Sequence, residues 1–329
     1  MASRRHTLTL LALSAAALLG SPAAHADEAW PTRVIQIITP ASAGSGTDIL
    51  ARALAQRLAV ALKQPVIVDN RPGASGAVGI SAVHKAAADG YTLLYSNAST
   101  AVIAPAIVKS LPYDFGKDFV PVAQTAAGGV YLLVNRDVPA RNLRELIDLI
   151  KANPDTYNSY GSWAIGSSGH LMMEWLKKQT GMKMTHVPYR TVPQLLTELA
   201  NGALKVAWAD PGSPVPFVRS GRIRGIAISG SVRGPQLPDI ATLDEQGYRF
   251  DQLGWFGVFA PTGTNEAIVN RLSEEINKIQ ASPEMATLMK TVNFEPPPVK
   301  TAAQFRDIVQ NDLQAWKKLA AEAGVSGDN

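Results

Sequence analysis

The sequence predicts an α/β fold of two lobes, each a mainly parallel sheet flanked by helices. Three observations lead there. From Val34 onward short β-branched runs alternate with stretches of helical periodicity, the pattern of parallel strands joined by crossover helices. The strand-loop-helix order then starts again near Val130. And the chain, once its leader is removed, keeps about 300 residues, more than one hydrophobic core usually serves.

The leader is read from Arg4 and Arg5, the apolar stretch 8–20, and the small-x-small sequence Ala24-His25-Ala26. Cleavage is expected after Ala26, giving a mature start at Asp27. The apolar run is shorter than the ~20 residues of a membrane span, and a lipid anchor would need a Cys that the sequence lacks. With no Cys, disulfides have no part in stability. The formal charge of +4 includes Arg4 and Arg5, and no acid precedes Asp27, so the mature charge is +2. Its basic residues are scattered among acids, which leaves no electrostatic footprint for nucleic acid.

Along the mature chain, 34–39 reads as a buried strand and 40–46 as a loop. Leu50, Leu54, Leu58 and Leu62 recur every fourth residue and mark one face of a helix. A strand at 66–68 is followed by the turn Asn70-Arg71-Pro72-Gly73, a helix at 77–87, the turn Asp89-Gly90, a strand at 91–95 and a polar loop at 96–100. The second set gives strand 131–134, helix 143–152, strand 156–160, loop 161–168 and helix 169–179. Strand 185–187, helix 194–201 and strands 204–208 and 223–229 extend it, and 254–260 returns as a strand. Helices 266–280, 284–291 and 302–323 have no strands of their own and are expected on the first sheet. The lobes are accordingly 27–126 with 254–329, and 127–253.

Loops 41–47, 96–100 and 161–168 are rich in Ser, Gly and Thr. Each follows a strand and precedes a helix, the edge at which open α/β sheets bind ligands. Helix starts offer unpaired backbone N–H groups and a positive dipole end, which suits a carboxylate without requiring Arg or Lys. Capping by Thr47, Asp48 or Ser168 explains part of this composition, but not three similar loops at one edge.

The same residues also invite two enzymatic readings. Gly44-Ser45-Gly46-Thr47-Asp48-Ile49 resembles the start of a dinucleotide fingerprint, with Asp69 about 20 residues on, yet Ile49 stands where the third glycine belongs. Ser167, Ser168 and His170 invite a serine-hydrolase reading, but no Gly-x-Ser-x-Gly elbow exists and His170 falls in a first helical turn. His84 and His186 stand isolated, without metal-site spacing. No cofactor or metal is expected. Trp163, inside the third loop, offers an indole that could stack on a flat apolar ligand.

Several runs together resemble the substrate-binding receptors of tripartite tricarboxylate transporters, the Bug family, along nearly the whole mature chain. They are Trp30-Pro31 with the 35–50 strand, loop and helix; Asp69-Asn70-Arg71-Pro72-Gly73-Ala74-Ser75-Gly76; Ala88-Asp89-Gly90-Tyr91-Thr92-Leu93-Leu94; Leu111-Pro112-Tyr113-Asp114; Val187-Pro188-Tyr189-Arg190; and Trp255-Phe256-Gly257. The resemblance implies a periplasmic-binding-protein-like clamshell, monomeric and non-enzymatic. It would capture a small carboxylate, partly through water, and deliver it to membrane subunits. Carried over by position, Ala43, Gly44, Thr47 and Asp48 match the first ligand loop, Ser96 and Thr100 the next, and Ser162, Ser167, Ser168 and His170 the second lobe's loop. Asp210 is counted with them, because Ala209, one residue earlier, stands where many members carry an Asp. Ser45 in place of a glycine, Thr191-Val192 in place of a small pair and Lys205 in place of an Asp are departures that bear on which carboxylate is bound.

Overall fold

The computed structural model describes residues 30–250, 254–297 and 301–325. The leader, its cut after Ala26 and the start at Asp27 lie outside the described residues. No helix among those described is long and apolar enough to cross a membrane. Ahead of the compact unit that begins at Arg33, the Trp30–Pro31 peptide is cis.

The described strands are β1 (Ile35–Thr39), β2 (Val66–Asn70), β3 (Thr92–Asn97), β4 (Phe119–Gly128), β5 (Tyr131–Asn135), β6 (Ser159–Ser162), β7 (Thr185–Pro188), β8 (Val206–Ala209), β9 (Ile223–Ile228) and β10 (Gly254–Pro261). The α-helices are α1 (Gly46–Leu62), α2 (Ala77–His84), α3 (Ala104–Ile107), α4 (Phe115–Asp118), α5 (Leu143–Ala152), α6 (Ser168–Thr180), α7 (Val192–Asn201), α8 (Val215–Arg219), α9 (Glu266–Gln280), α10 (Pro283–Thr291) and α11 (Ala302–Ala323).

Two five-stranded sheets form, ordered β2-β1-β3-β10-β4 and β7-β6-β8-β5-β9. In each, the first three strands are parallel and the fourth is reversed against both neighbours. The reversed strands, β5 and β10, are those the chain enters directly after leaving the other sheet. A crossing chain enters its new sheet at the facing edge, so the amino ends of β5 and β10 share that edge with the carboxyl ends of the parallel strands. All the connecting loops that matter for binding therefore converge in one place.

Helix α1 forms where the leucine period predicted, with Leu50, Leu54, Leu58 and Leu62 buried against the sheet. Its N-cap is Ser45, whose hydroxyl accepts from the Asp48 N–H, rather than the expected Thr47 or Asp48. Strand β4 was not predicted. Pro121, Gln124 and the small residues 126–128 hide its pattern, and the strand tolerates a proline because it lies at the sheet's edge. Helix α11, expected on the first sheet, packs on β4 there and also against α6 of the second. Its Trp316 ring lies 5.8 Å from Phe250, which stands 5.1 Å from Trp175 of α6.

Gly129 lies in the β4–β5 crossing, where a Cβ would run into the backbone carbonyl oxygen of Ser229 at the end of β9. Val130 N–H donates to the Ser229 hydroxyl and Ser229 N–H to the Val130 carbonyl, which pins this approach from both sides. Gly129→Ala is expected to destabilise the chain by about 1–3 kcal/mol, the usual cost of overpacking against backbone. Urea unfolding measures it, and an unshifted midpoint would mean the crossing has slack.

Candidate functional site

A cavity of about 810 Å³ lies between the carboxyl ends of β1–β3 and those of β6–β8, with the amino end of β10 at its wall. Of the residues expected at the site, Thr47, Thr100, Trp163, Ser167, Ser168 and Asp210 line it. Ala43, Gly44, Asp48, Ser96, Ser162 and His170 do not, and each for a physical reason.

Ala43 and Gly44 are exposed at the loop's tip. Asp48 is buried and its carboxylate is used up by protein. Oδ2 accepts from Gly44 N at 2.9 Å, and Oδ1 accepts from Asn70 Nδ2 at 2.9 Å and pairs with Arg52 Nε at 2.9 Å. Burial alone would raise its pKa, but these bonds outweigh that and hold the carboxyl below its usual range. Asn70 also donates to the Ala41 carbonyl, so Asp48 shapes the first loop instead of touching what the loop holds. Thr47, one residue earlier, accepts from Asn97 Nδ2 at 2.9 Å, leaving its hydroxyl proton to point elsewhere. Ser96 is fully buried and bonded to Thr100 Oγ1 at 2.7 Å.

In the second lobe, Ser162 is fully buried, 2.8 Å from Ser167 Oγ and 2.7 Å from His186 Nε2. His170 Nδ1 accepts from Gly166 N at 3.2 Å, and its ring stacks on His186 with centroids 4.0 Å apart. His186, read as isolated, is thus the half-buried member of a stacked imidazole pair with buried His170, brought there by the parallel β6–β7 register that sets Tyr160 beside it. Burial pushes His170 down to about 4; burial, then the neighbouring His170 and Lys177, push His186 to about 3. The pair is therefore neutral near pH 7 and holds up the Gly166–Ser168 turn.

The two lobes are joined directly across the cavity. Ser168 N–H donates to Ser99 Oγ at 3.1 Å and the two hydroxyls lie 3.1 Å apart. Ser75 Oγ donates to the Ile165 carbonyl at 2.8 Å. Asp210, 8% exposed, accepts from Gly212 N, Ser213 N and Ser213 Oγ, and from Gly46 N at the start of α1. Gly46 has to be glycine for this approach, since a Cβ there would stand 2.7 Å from Asp210 Oδ1. Burial raises the Asp210 pKa against those four bonds, which lower it.

Sequence reasoning passed over Ser75, Asn97, Ser99, Arg190, Trp255 and Phe256, all in the cavity wall. Asn97 and Ser99 fell inside a loop already singled out; Ser75 followed a run read as a turn. Arg190, Trp255 and Phe256 stood in runs quoted for the family resemblance but were given no site role.

The arrangement explains why neither enzymatic alternative fits. The helix start that a dinucleotide's pyrophosphate would need already binds the Asp210 carboxylate. Ser167 caps α6 by accepting from His170 N, and the close side-chain contact of Ser162 with His186 lies behind the wall. Among the described residues no cluster of three His, Cys, Asp or Glu side chains is placed to hold a metal.

A family model described as tripartite tricarboxylate transporter family receptor matches residues 50–325. Protein BugT of Bordetella pertussis is 33% identical over 311 residues, 94% of this chain and 95% of its own. Among solved structures, an R. palustris protein with adipate superposes with a TM-score of 0.86 at 31% identity, covering 90% of this chain and 99% of its own. MatC from Rhodopseudomonas palustris, with bound malate, gives 0.82 at 28% identity, covering 88% and 99%.

Proposed function

The chain belongs to the tripartite tricarboxylate transporter receptor family, and from that premise we propose that it captures a small carboxylate in its cleft and presents it to the membrane subunits of a tripartite transporter. It is a solute-binding receptor of the periplasmic binding type rather than an enzyme. The observation that carries the ligand class is the cavity wall: hydroxyls of Thr47, Ser99, Thr100, Ser167 and Ser168 converge there beside the starts of α1 and α6. Such a wall supplies hydroxyl donors and the positive end of α6 without a lysine, which suits one carboxylate. The adipate and malate of the structural neighbours agree with that chemistry. In this reading the chain is exported, cut after Ala26, and works as a monomer with lobes 27–126 plus 254–329 and 127–253.

A thermal-shift screen of carboxylates on the purified protein tests the reading, because a ligand that binds only the folded state raises its melting temperature by mass action. Failure of every small carboxylate would remove it. With a ligand in hand, Ser168→Ala deletes one hydroxyl and keeps the backbone amides, so affinity is expected to fall several-fold to about thirtyfold, ~0.5–2 kcal/mol. Calorimetry measures this, and an unaltered affinity would place the carboxylate away from α6.

A further inference from the structure

A line of close polar contacts leads from the cavity wall into the second lobe. Ser167, which lines the cavity, has its Oγ 2.8 Å from Ser162 Oγ, and Ser162 Oγ is 2.7 Å from His186 Nε2. Ser162 is fully buried and His186 half-buried. Each of the three groups has one proton to give. A hydroxyl can also receive at two lone pairs, and a neutral imidazole gives from one nitrogen and receives at the other. The line can therefore run in either of two directions.

Ser167 Oγ already accepts from His170 N at 3.2 Å. When Ser162 also donates to it, both lone pairs are taken, and among the described residues its own proton finds no acceptor, so it turns to the cavity. This direction requires a hydrogen on His186 Nε2, donated to Ser162. With a bare Nε2 the order reverses: Ser162 donates to His186 and Ser167 to Ser162, which leaves the cavity an oxygen lone pair that repels a carboxylate. The rest of the surroundings leave His186 free to follow the line. Its Nδ1 bonds to none of the described residues and is not sealed from water. Glu174 is engaged elsewhere, accepting from Tyr160 OH at 2.7 Å and from Lys177 Nζ at 2.8 and 2.7 Å. His170 spends its Nδ1 on Gly166 N.

We propose that His186 is a positioning residue for the bound carboxylate: with its hydrogen on Nε2 it donates to Ser162, Ser162 donates to Ser167, and Ser167 donates to the ligand's acid group. This rests on the reading that the carboxylate sits against the hydroxyls at the start of α6. No proton leaves its heavy atom; what His186 sets is the direction of the bonds. Bonds that run one way polarise one another, so Ser167 holds an anion more firmly than an isolated serine would. Activation of a serine nucleophile needs the opposite direction, with the imidazole taking the hydroxyl proton.

Two measurements at pH 7 test this, with adipate, malate, citrate or benzoate as the probe, whichever raises the melting temperature most. In NMR of the saturated native protein with isotope-labelled histidine, His186 is expected to carry its hydrogen on Nε2 and to leave Nδ1 bare; its signals are assigned by their loss in His186→Gln. In calorimetry, His186→Leu, which cannot donate, should bind the probe roughly two- to tenfold more weakly, while His186→Gln, whose amide can donate to Ser162, should stay within about twofold of native. In a Ser162→Ala background the His186→Leu loss should vanish, because two groups that act through one chain of bonds are not additive. The relay is overturned by a bound state with the His186 hydrogen on Nδ1, by an unchanged affinity in His186→Leu, or by a loss that persists without the Ser162 hydroxyl, as it would if the ring only propped the wall by stacking on His170. Each of these leaves the carboxylate reading in place. If none of the four acids binds, that reading and the relay fall together.

Discussion

Acidification from pH 7 to 4.5 is expected to destabilise the protein by several kcal/mol through the stacked imidazoles of His170 and His186. In the unfolded chain both titrate near 6.5, whereas in the fold they are held down to about 4 and about 3. Between those values the unfolded state binds more protons than the native state. The stability contributed by the neutral pair is thus complete above pH 6.5 and is lost as pH falls toward the folded values. Each pKa unit is worth ~1.4 kcal/mol, so at pH 4.5 each imidazole accounts for on the order of 2–3 kcal/mol. Asp48, whose pKa is lowered, adds a loss of the same sign only at more acid pH, and Asp210, whose pKa is raised, acts in the opposite direction. Urea unfolding at pH 7.0, 5.5 and 4.5 reads the slope. His170→Asn with His186→Gln keeps an acceptor for Gly166 N and a partner for Ser162 while removing both titrations, and it should flatten the slope. A double variant as acid-sensitive as the native chain would put the sensitivity elsewhere. Ligand affinity of the folded protein should hold through this window and weaken only near pH 4, where His170 itself takes up a proton and its Nδ1 no longer accepts from Gly166 N in the turn that lines the cavity.

That pair also marks where sequence reading stops. Local periodicity was enough for α1, α5, α7 and α9, because apolar residues at helical spacing are a local signal. The three Ser/Gly/Thr loops were legible as a class for the same reason, since each needs only a strand before it and a helix after. What could not be read was which side of a loop each residue faces. Asp48, Ser162 and His170 look like ligand groups by type and position, yet each is turned inward to hold the loop's backbone, and their neighbours Thr47, Ser168 and Trp163 face the cavity. The bonds that decide this join residues far apart in the chain: His186 reaches Ser162 by strand register, and Ser99 meets Ser168 across 69 positions. Edge strand β4 escaped because an edge tolerates the proline and small residues that would disqualify a central strand.

The cross-lobe contacts imply that part of the closing energy belongs to the protein itself. Ser99–Ser168, Ser75–Ile165 and Gly46–Asp210 all tie one lobe to the other, so a ligand needs to add only the difference between the open and closed states.

Asp210 makes one of these ties, and Asp210→Ala is expected to cost about 2–4 kcal/mol of stability, since it strands the N–H groups of Gly212, Ser213 and Gly46 that are now satisfied by one buried carboxylate. The Gly46 bond carries extra weight. It sets a carboxylate from the second lobe on the positive end of α1 in the first, where the helix dipole favours negative charge. Without it, water must solvate the start of α1, and the gap left between the lobes favours opening. Two measurements separate that effect from simple loss of stability. Urea unfolding should show the lowered midpoint, and small-angle scattering of the ligand-free variant under native conditions should show a larger radius of gyration than the native protein. Ser213→Ala is the control: it removes one donor to Asp210 Oδ2 but keeps the carboxylate and its bond to Gly46, so the radius should stay at the native value while the midpoint falls only slightly. An Asp210→Ala protein as compact as the native one would mean that Asp210 serves only its own turn, and that closure depends on the hydroxyl contacts between Ser99 and Ser168.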